Sequence, residues 1–238
     1  MKTIFLYLEF LIYMLFTVFK KIKVENLRKK GKLEEAEEVV KSNVKNWADF
    51  IVKKVGITIE KEGLENIPDE ACVFVSNHQS FFDIPVIISG LEKPVGFIAK
   101  KEILKAKILT YWMNQIHCVF IDRSNIREAV KSINKGVQNL KEGHDMLIFP
   151  EGTRSKGKEM GEFKKGSMKL ATKSKAPIVP IAIEGTYKAR EANEGNKIKP
   201  AKVKLIVCPP IYSDDLTKEQ KSNLADYIKE IIEKAKEK

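Results

Sequence analysis

A histidine and an aspartate five residues apart, His78 and Asp83, are the pair in this sequence best suited to proton transfer. Neutral imidazole is a usable base near pH 7, and a carboxylate on its other ring nitrogen fixes the tautomer and stabilises the imidazolium as it forms. The alternative interpretation is structural: Asp83 caps a helix that begins at Ser80, and His78 is an ordinary loop residue. The pair alone therefore predicts either a general base or a helix cap.

The chain contains no G-x-S-x-G segment, so no serine or cysteine nucleophile of that kind is predicted. A histidine base would then act on a hydroxyl group that belongs to a substrate. That oxygen would attack an activated acyl or phosphoryl centre directly, without a covalent enzyme intermediate. Acyl thioesters and phosphoryl donors are both compatible with these residues.

Two arginines follow predicted strands, Arg123 after 119–121 and Arg154 after 146–149. Ligands bind at the carboxyl ends of parallel strands, and a planar guanidinium with five donors suits phosphate oxygens. Seven lysines and two acids between Arg154 and Lys175 extend the positive charge, or form an exposed basic helix face. The alternative for each arginine is a solvated loop charge.

Cysteine and histidine usage argues against disulfides and metals. The three cysteines are widely separated and the three histidines form no pair at metal-ligand spacing. We therefore predict reduced, buried cysteines, no metal site, and a working compartment on the cytosolic side of the membrane. The cysteines and histidines are Cys72, Cys118, Cys208, His78, His117 and His144.

The 238-residue chain carries a net charge of +11, which predicts an anionic partner. The basic stretches lack the interleaved aromatic residues of a single-strand binding platform, and no nucleic-acid recognition motif is present. A membrane surface or a phosphorylated small molecule is therefore favoured over nucleic acid.

From residue 56 onward, β-branched apolar segments alternate with helical patterns, which predicts an α/β fold with a largely parallel or mixed sheet flanked by helices. Helix starts are predicted near Ser80, Asn125 and Thr217, each three residues before a residue suited to a capping box. We divide the chain into an N-terminal two-helix motif, 1–55, and an α/β domain, 56–238. The predicted strands are 57–59, 72–75, 95–99, 119–121, 146–149, 178–183 and 203–207.

The N-terminal motif predicts membrane attachment. Fourteen of the sixteen residues 4–19 are apolar or aromatic, and as a helix they span roughly 24 Å, short of the about 30 Å of bilayer hydrocarbon. The positive charge follows this segment, with seven basic residues and one acid in 20–32, which disfavours a signal peptide and favours anionic head groups. Gly31 predicts a turn into a second helix, 33–55. The alternative is a pair of amphipathic helices packed on the domain.

Four segments stand out in this sequence: 77–83 (NHQSFFD), 120–123 (FIDR), 149–154 (FPEGTR) and 179–183 (VPIAI). In order and spacing they resemble the motif blocks of the glycerolipid acyltransferase family, and most of all those of its bacterial members that acylate 1-acylglycerol-3-phosphate. The resemblance covers roughly residues 50–215, and it implies the acyltransferase fold with paired N-terminal helices that seat it on the membrane. Ile116, His117 and Cys118 depart from the glycine that many members carry before the second block, and we interpret His117 as structural.

The resemblance implies a role for each matched residue. His78 would be the general base on the sn-2 hydroxyl of lysophosphatidic acid, Asp83 would orient it, and the acyl group would arrive as a thioester on coenzyme A or acyl carrier protein, with no other cofactor. Pro180 would be structural or lie near the acyl donor. The residues implied in binding the acceptor phosphate and shaping its pocket are Lys100, Arg123, Glu151, Gly152, Thr153 and Arg154.

Three rival functions differ in measurable ways. The same mechanism on glycerol-3-phosphate or another lysophospholipid would change the acceptor profile. A thioesterase-like hydrolase, in which His78 activates water, would release free fatty acid without an acceptor. A non-enzymatic adaptor would bind anionic membranes through its basic stretches and show no turnover. The favoured hypothesis is that the protein forms phosphatidic acid at the cytoplasmic face of the cell membrane, as a step of phospholipid biosynthesis.

Overall fold

The computed structural model describes residues 2–237, and it contains one sheet with helices on both faces. The predicted α/β fold class is confirmed. The helices are α1 Lys2–Lys29, α2 Leu33–Val55, α3 Asp83–Leu91, α4 Lys107–Gln115, α5 Ile126–Lys141, α6 Lys169–Ser174, α7 Lys218–Ser222 and α8 Leu224–Lys236. The strands are β1 Ile57–Glu62, β2 Val73–Ser76, β3 Gly96–Lys100, β4 Val119–Ile121, β5 Met146–Ile148, β6 Ile178–Glu184 and β7 Ala201–Val207.

The seven strands form one sheet in the order β1-β7-β6-β2-β5-β3-β4. The five strands from β6 to β4 are mutually parallel, β7 runs antiparallel to β6, and β1 runs parallel to β7. The carboxyl ends of the five parallel strands therefore lie at the same end of the sheet as the amino ends of β1 and β7. We call this the carboxyl end of the sheet.

Two hydrophobic cores cover the two faces of the sheet. The first contains side chains of α1, α2, α3 and α4, and the second contains side chains of α5, α6 and α8. The central strands are apolar on both faces, since every residue of β2 and β5 is buried. Burial on both sides is the usual condition of parallel strands, and it explains their short, continuously apolar sequences.

The first helix is longer than predicted. α1 continues through the basic stretch to Lys29, so its 28 residues extend about 42 Å. The part Thr3–Lys29 is long and apolar enough, by length and composition, to cross a membrane. Gly31, with φ of 73°, makes the predicted turn, because this left-handed conformation costs glycine little. α2 then returns antiparallel to α1.

The two faces of α1 differ, since one packs on the domain and the other is open to solvent. α1 packs along α2 and α4: Tyr13 stacks on Phe50 with ring centroids 4.4 Å apart, and Trp112 Nε1 donates to Thr17 Oγ1 at 3.0 Å. The outer face of α1 is exposed and apolar. The exposed side chains on it include Ile4, Phe5, Leu8, Leu11, Ile12, Leu15, Phe16 and Phe19.

The amino end of α1 lies at the carboxyl end of the sheet. Thr3 Oγ1 accepts a hydrogen bond from the main-chain N–H of Ile198, three residues before β7, at 3.3 Å. Lys54 at the end of α2 pairs with Glu9 at 2.6 Å. The predicted division at residue 56 stays a prediction, and its ranges include Met1 and Lys238, which lie outside the described residues.

Two of the three predicted helix caps are confirmed. Asn125 Oδ1 accepts from the N–H groups of Arg127 and Glu128, and Thr217 forms a capping box with Gln220. The prediction of a helix start at Ser80 is wrong, because α3 begins at Asp83. The Ser80 hydroxyl accepts from the N–H of Phe82 at 3.2 Å and donates to Glu191 at 2.6 Å, so it orders the turn before the helix.

Candidate active site

The predicted site residues all lie at the carboxyl end of the sheet. His78 follows β2, Lys100 ends β3, Arg123 follows β4, and 151–154 follow β5. These four strands are neighbours, in the order β2-β5-β3-β4. Parallel strands thus bring together groups that are up to 76 residues apart in the sequence.

His78 and Asp83 form a hydrogen-bonded pair. Nδ1 of the imidazole lies 2.7 Å from Asp83 Oδ2, and the Asp83 side chain is fully buried while that of His78 is 20% exposed. The ring of His78 stacks on Phe149, with centroids 4.1 Å apart. Because Nδ1 is engaged by the carboxylate, Nε2 is the ring nitrogen left for a substrate proton.

Asp83 is held by groups on both of its oxygens. Oδ2 also accepts from the main-chain N–H of Ser80 at 2.9 Å, and Oδ1 accepts from the Thr186 hydroxyl at 2.5 Å. Asp83 thus orders the turn before α3 and orients the imidazole, so the two interpretations of the pair are compatible. Sequence reasoning missed Thr186, whose one signal is its position two residues after the end of β6.

Glu151 is buried and fixes the main chain beside His78. Its Oε1 accepts from the N–H of His78 at 2.6 Å and its Oε2 from the N–H of Gly161 at 2.8 Å. On the other side, the carbonyl of His78 accepts from the N–H of Ser155 at 2.7 Å. Both carboxylate oxygens of Glu151 are occupied by amides, which fits a role in shaping the pocket rather than in contacting a phosphate.

Each of the two arginines donates a hydrogen bond to an acceptor group of the protein. Arg123 donates through Nη1 to the carbonyl of Gly152, whose φ of 70° is the left-handed conformation that favours glycine. Arg154 donates through Nη1 to Glu191 Oε1 at 3.1 Å. Each guanidinium has five donors, so most of them remain for an anion.

Glu191 is a buried carboxylate that sequence reasoning also missed. Besides Arg154, it accepts from the Ser80 hydroxyl at 2.6 Å and from the N–H of Phe81 at 2.9 Å. It therefore connects the His78–Asp83 loop to the segment after β5. No local pattern identifies it, because it lies in an irregular segment 111 residues beyond Ser80.

Lys100 and Thr153 are exposed at the same end of the sheet. The neighbouring Lys101 pairs with Asp122 at 2.6 Å, and hydrogen bonds from Lys101 and Ser124 lower the pKa of Asp122 to about 2. Asp122 is therefore charged at neutral pH and offsets Lys101. The net positive charge near β3 and β4 is thus carried by Lys100 and Arg123.

The other two histidines lie at the opposite end of the sheet, before β4 and β5. The rings of His117 and His144 stack with centroids 3.4 Å apart. Burial and the neighbouring His144 lower the pKa of His117. Within residues 2–237, no group of three or more histidines, cysteines or acids is placed to hold a metal ion.

Comparisons with known proteins agree with this arrangement. The sequence model of the Acyltransferase family matches residues 58–184, which is 127 of the 238 residues. A chloroplastic 1-acyl-sn-glycerol-3-phosphate acyltransferase of Arabidopsis thaliana is 37% identical over 187 residues, 76% of this chain and 52% of that protein. The enzyme of the same name from Pseudomonas aeruginosa is 38% identical over 144 residues, 58% of this chain and 56% of that protein. The chain spans about half the length of these curated relatives.

A solved structure matches almost the whole chain. The crystal structure of the 1-acyl-sn-glycerophosphate acyltransferase from Thermotoga maritima superposes with a TM-score of 0.85 at 28% identity, covering 98% of this chain and 92% of that one. The match includes the N-terminal helices, because a superposition of that extent leaves few residues out. By the family match and the shared fold, the chain belongs to the acyltransferase family.

Proposed function

We propose that this protein transfers a fatty acyl group from a thioester to the sn-2 hydroxyl of 1-acylglycerol-3-phosphate, which yields phosphatidic acid. The observation that carries the proposal is the His78–Asp83 pair on the same end of the sheet as Arg123, Arg154 and Lys100. A base and a phosphate-binding set are the two parts that this reaction needs. The names of the relatives from Arabidopsis and Pseudomonas support the same acceptor.

In the proposed reaction, His78 Nε2 takes the proton of the acceptor hydroxyl as its oxygen attacks the thioester carbonyl. The new C–O bond forms, the C–S bond breaks, and the imidazolium returns its proton to the departing thiolate. Asp83 stabilises the imidazolium throughout. Because the acceptor supplies the hydroxyl, no side chain of the protein becomes acylated.

The acceptor phosphate is assigned to Arg123, Arg154 and Lys100, with Thr153 beside them. Each arginine is held by one acceptor, so its plane is set in advance and its other donors can bind phosphate oxygens. Gly152 and Glu151 are assigned a role in shaping this pocket. The carbonyl of Gly152 accepts a hydrogen bond from Arg123, and the carboxylate of Glu151 accepts hydrogen bonds from main-chain N–H groups.

The acyl donor is assigned as a thioester of coenzyme A or acyl carrier protein, which serves as a co-substrate, and the mechanism uses no other cofactor. The net charge of +11 suits either donor, since both the phosphates of the coenzyme and an acidic carrier are anionic. The product, phosphatidic acid, places the reaction in phospholipid biosynthesis.

The protein is proposed to work at the cytoplasmic face of the cell membrane, seated by α1. One face of α1 packs on α2 and α4 along its length, and the opposite face is apolar and exposed. A helix packed in this way on the protein surface fits a position in the plane of the interface, with the basic residues 20–32 against anionic head groups.

The test is acyl transfer from a radiolabelled long-chain thioester in vesicles, with lysophosphatidic acid, glycerol-3-phosphate or no acceptor. We expect phosphatidic acid with lysophosphatidic acid alone. If product forms only with glycerol-3-phosphate, that compound is the acceptor and the proposed acceptor is wrong. If free fatty acid forms in every reaction, including the one without acceptor, the protein is a hydrolase.

The His78→Ala variant tests the base in the same assay. Loss of general-base catalysis typically costs about 10²- to 10⁴-fold, so we expect kcat to fall by at least about 100-fold while the acceptor still binds. His144→Ala is the matched control, because it removes a histidine at the opposite end of the sheet. Near-normal turnover of His78→Ala would refute the assignment.

A further inference from the structure

We propose that Lys236, the last residue of α8, is a positioning residue for the His78–Asp83 pair, an inference that rests on the proposed function. Its Nζ lies 3.2 Å from Glu184 Oε2 and 2.6 Å from the main-chain carbonyl of Lys158. The Lys236 side chain is only 9% exposed. Lysine is rarely this buried, and its burial here is compensated by one carboxylate and one carbonyl.

The first contact of Lys236 leads to the catalytic pair through β6. Glu184 Oε2, which pairs with Lys236, also accepts from Gln79 Nε2 at 3.1 Å. Gln79 is buried and follows His78 directly, and its Oε1 accepts from the N–H of Gly185 at 2.9 Å. The next residue along, Thr186, donates to Asp83. Glu184 therefore positions Gln79, the residue next to His78. Through Gln79 it also positions the end of β6, which carries Thr186.

The second contact of Lys236 leads to the same place through the loop after β5. Lys158 lies in the segment whose N–H groups at Ser155 and Lys156 donate to the carbonyls of His78 and Gln79, at 2.7 Å and 3.1 Å. Lys236 fixes the far end of this segment. The first route thus ends at the side chain of Gln79, and the second ends at the main-chain carbonyls of His78 and Gln79.

The position of Lys236 in its helix also favours these contacts. α8 packs on β6 and runs toward the carboxyl end of the sheet, so its last turn reaches the site. A cation in the last turn of a helix is stabilised by the helix dipole. Both partners of Lys236 are more than 50 residues away in the sequence, so its contacts tie three separate segments together.

The Lys236→Met variant removes the ammonium group and keeps much of the side-chain length. We expect kcat for lysophosphatidic acid to fall about tenfold, because small displacements of a base are costly, while the acceptor KM changes less than about twofold. Lys236→Arg should restore most of kcat. Lys234→Met is the matched control, since Lys234 is an exposed lysine on the same helix, and we expect it to behave as the parent protein.

Amide hydrogen exchange gives a readout that does not depend on the reaction. In Lys236→Met, peptides covering 152–160 should exchange faster than in the parent protein, and in Lys234→Met they should not. If Lys236→Met fails to fold, Glu184→Gln tests the same contact from the other side and should lower kcat in the same way.

Two results would overturn the inference: exchange at 152–160 that matches the parent protein, or a kcat that Lys236→Met and Glu184→Gln both leave unchanged. A parent protein that transfers no acyl group to lysophosphatidic acid would instead refute the proposed function. The exchange measurement would in that case still decide whether Lys236 orders the loop.

Discussion

At the scale of single residues, the proposed base is fixed by contacts on its ring and on its main chain. Asp83 binds Nδ1, Phe149 covers one face of the ring, and Glu151 and Ser155 bind the N–H and the carbonyl. A side chain held in this way loses little freedom when a substrate binds. Nε2 is therefore kept in one position before the reaction begins.

The Thr186→Val variant should lower activity by disturbing Asp83. Valine keeps nearly the same shape but leaves a buried carboxylate oxygen without its donor, so we expect kcat to fall about tenfold and the unfolding free energy to fall by about 2 kcal/mol. Turnover and urea unfolding measure the two effects. Thr172→Val removes the hydroxyl of an exposed residue of α6, which donates to the carbonyl of Met168, and it should change neither quantity.

The Arg154→Ala variant should weaken binding of the acceptor. Loss of a charge-assisted contact with phosphate should raise the KM for lysophosphatidic acid about tenfold, and the KM for the acyl donor less than about twofold. Initial rates over both substrate concentrations measure the two constants. Arg127→Ala removes an exposed arginine from α5 and serves as the control. An equal rise in both constants would contradict the phosphate role.

The sequence was sufficient to single out His78, Asp83 and both arginines as candidates that meet at one end of the sheet, because their motifs are short and contiguous. It was not sufficient for Thr186, Glu191 or Lys236. Each of these lies more than 100 residues after Asp83 in the sequence, and only the pairing of β2 with β6 and the path of α8 bring them near the site.

At the scale of elements, α1 has two faces with different partners. Its inner face contributes Met14, Thr17 and Val24 to the buried core, while its outer face carries large exposed apolar side chains. An exposed apolar face of this extent is typical of a surface that contacts lipid or another protein. The aromatic content of that face favours the membrane interface.

The Phe16→Asp variant should weaken membrane binding without unfolding the protein. Phe16 is 64% exposed, so its replacement disturbs no core contact. Burying a phenylalanine in lipid is worth about 2 kcal/mol, so we expect the vesicle partition coefficient to fall at least about tenfold. Co-sedimentation with anionic vesicles measures it. Tyr212→Asp, at an exposed aromatic beyond the opposite end of the sheet, should bind as the parent protein does.

All seven strands were predicted to within a few residues, because each contains a short apolar or β-branched segment bounded by turns. Two features of the elements were not predictable in this way. The reversal of β7 depends on its tertiary pairing with β6, and the turn before α3 is held by hydrogen bonds from Ser80 and Phe81 to the distant Glu191. The length of α1 was underestimated because the apolar pattern ends before the helix does.

At the scale of the whole molecule, the stacked pair of His117 and His144 makes stability depend on pH. Burial and then the charge of His144 lower the pKa of His117, while Glu37 and Glu142 oppose this and Lys135 adds to it. The folded protein therefore binds a proton at His117 less readily than the unfolded chain does. The contribution of neutral His117 to stability is fully present above pH 6.5, the ordinary pKa of histidine. It is lost as the pH falls from 6.5 through the lowered pKa of His117 in the folded protein.

The His117→Asn variant should flatten this pH dependence. His117 has φ of 60°, a left-handed conformation that asparagine tolerates, so the replacement removes the titrating group with little backbone strain. Urea unfolding between pH 5 and 7.5 measures the effect. We expect the parent protein to lose more stability than the variant on acidification, and parallel curves would show that His117 does not contribute.

The contact of Thr3 with Ile198 places the amino end of the apolar helix at the same end of the protein as His78. An acceptor lipid would then meet the base without leaving its leaflet, and a two-chain product would stay there. Turnover should accordingly follow the mole fraction of acceptor in the vesicle surface rather than its bulk concentration. Adding inert lipid at a constant amount of acceptor should therefore slow the reaction, because it lowers the concentration of acceptor in the plane of the membrane.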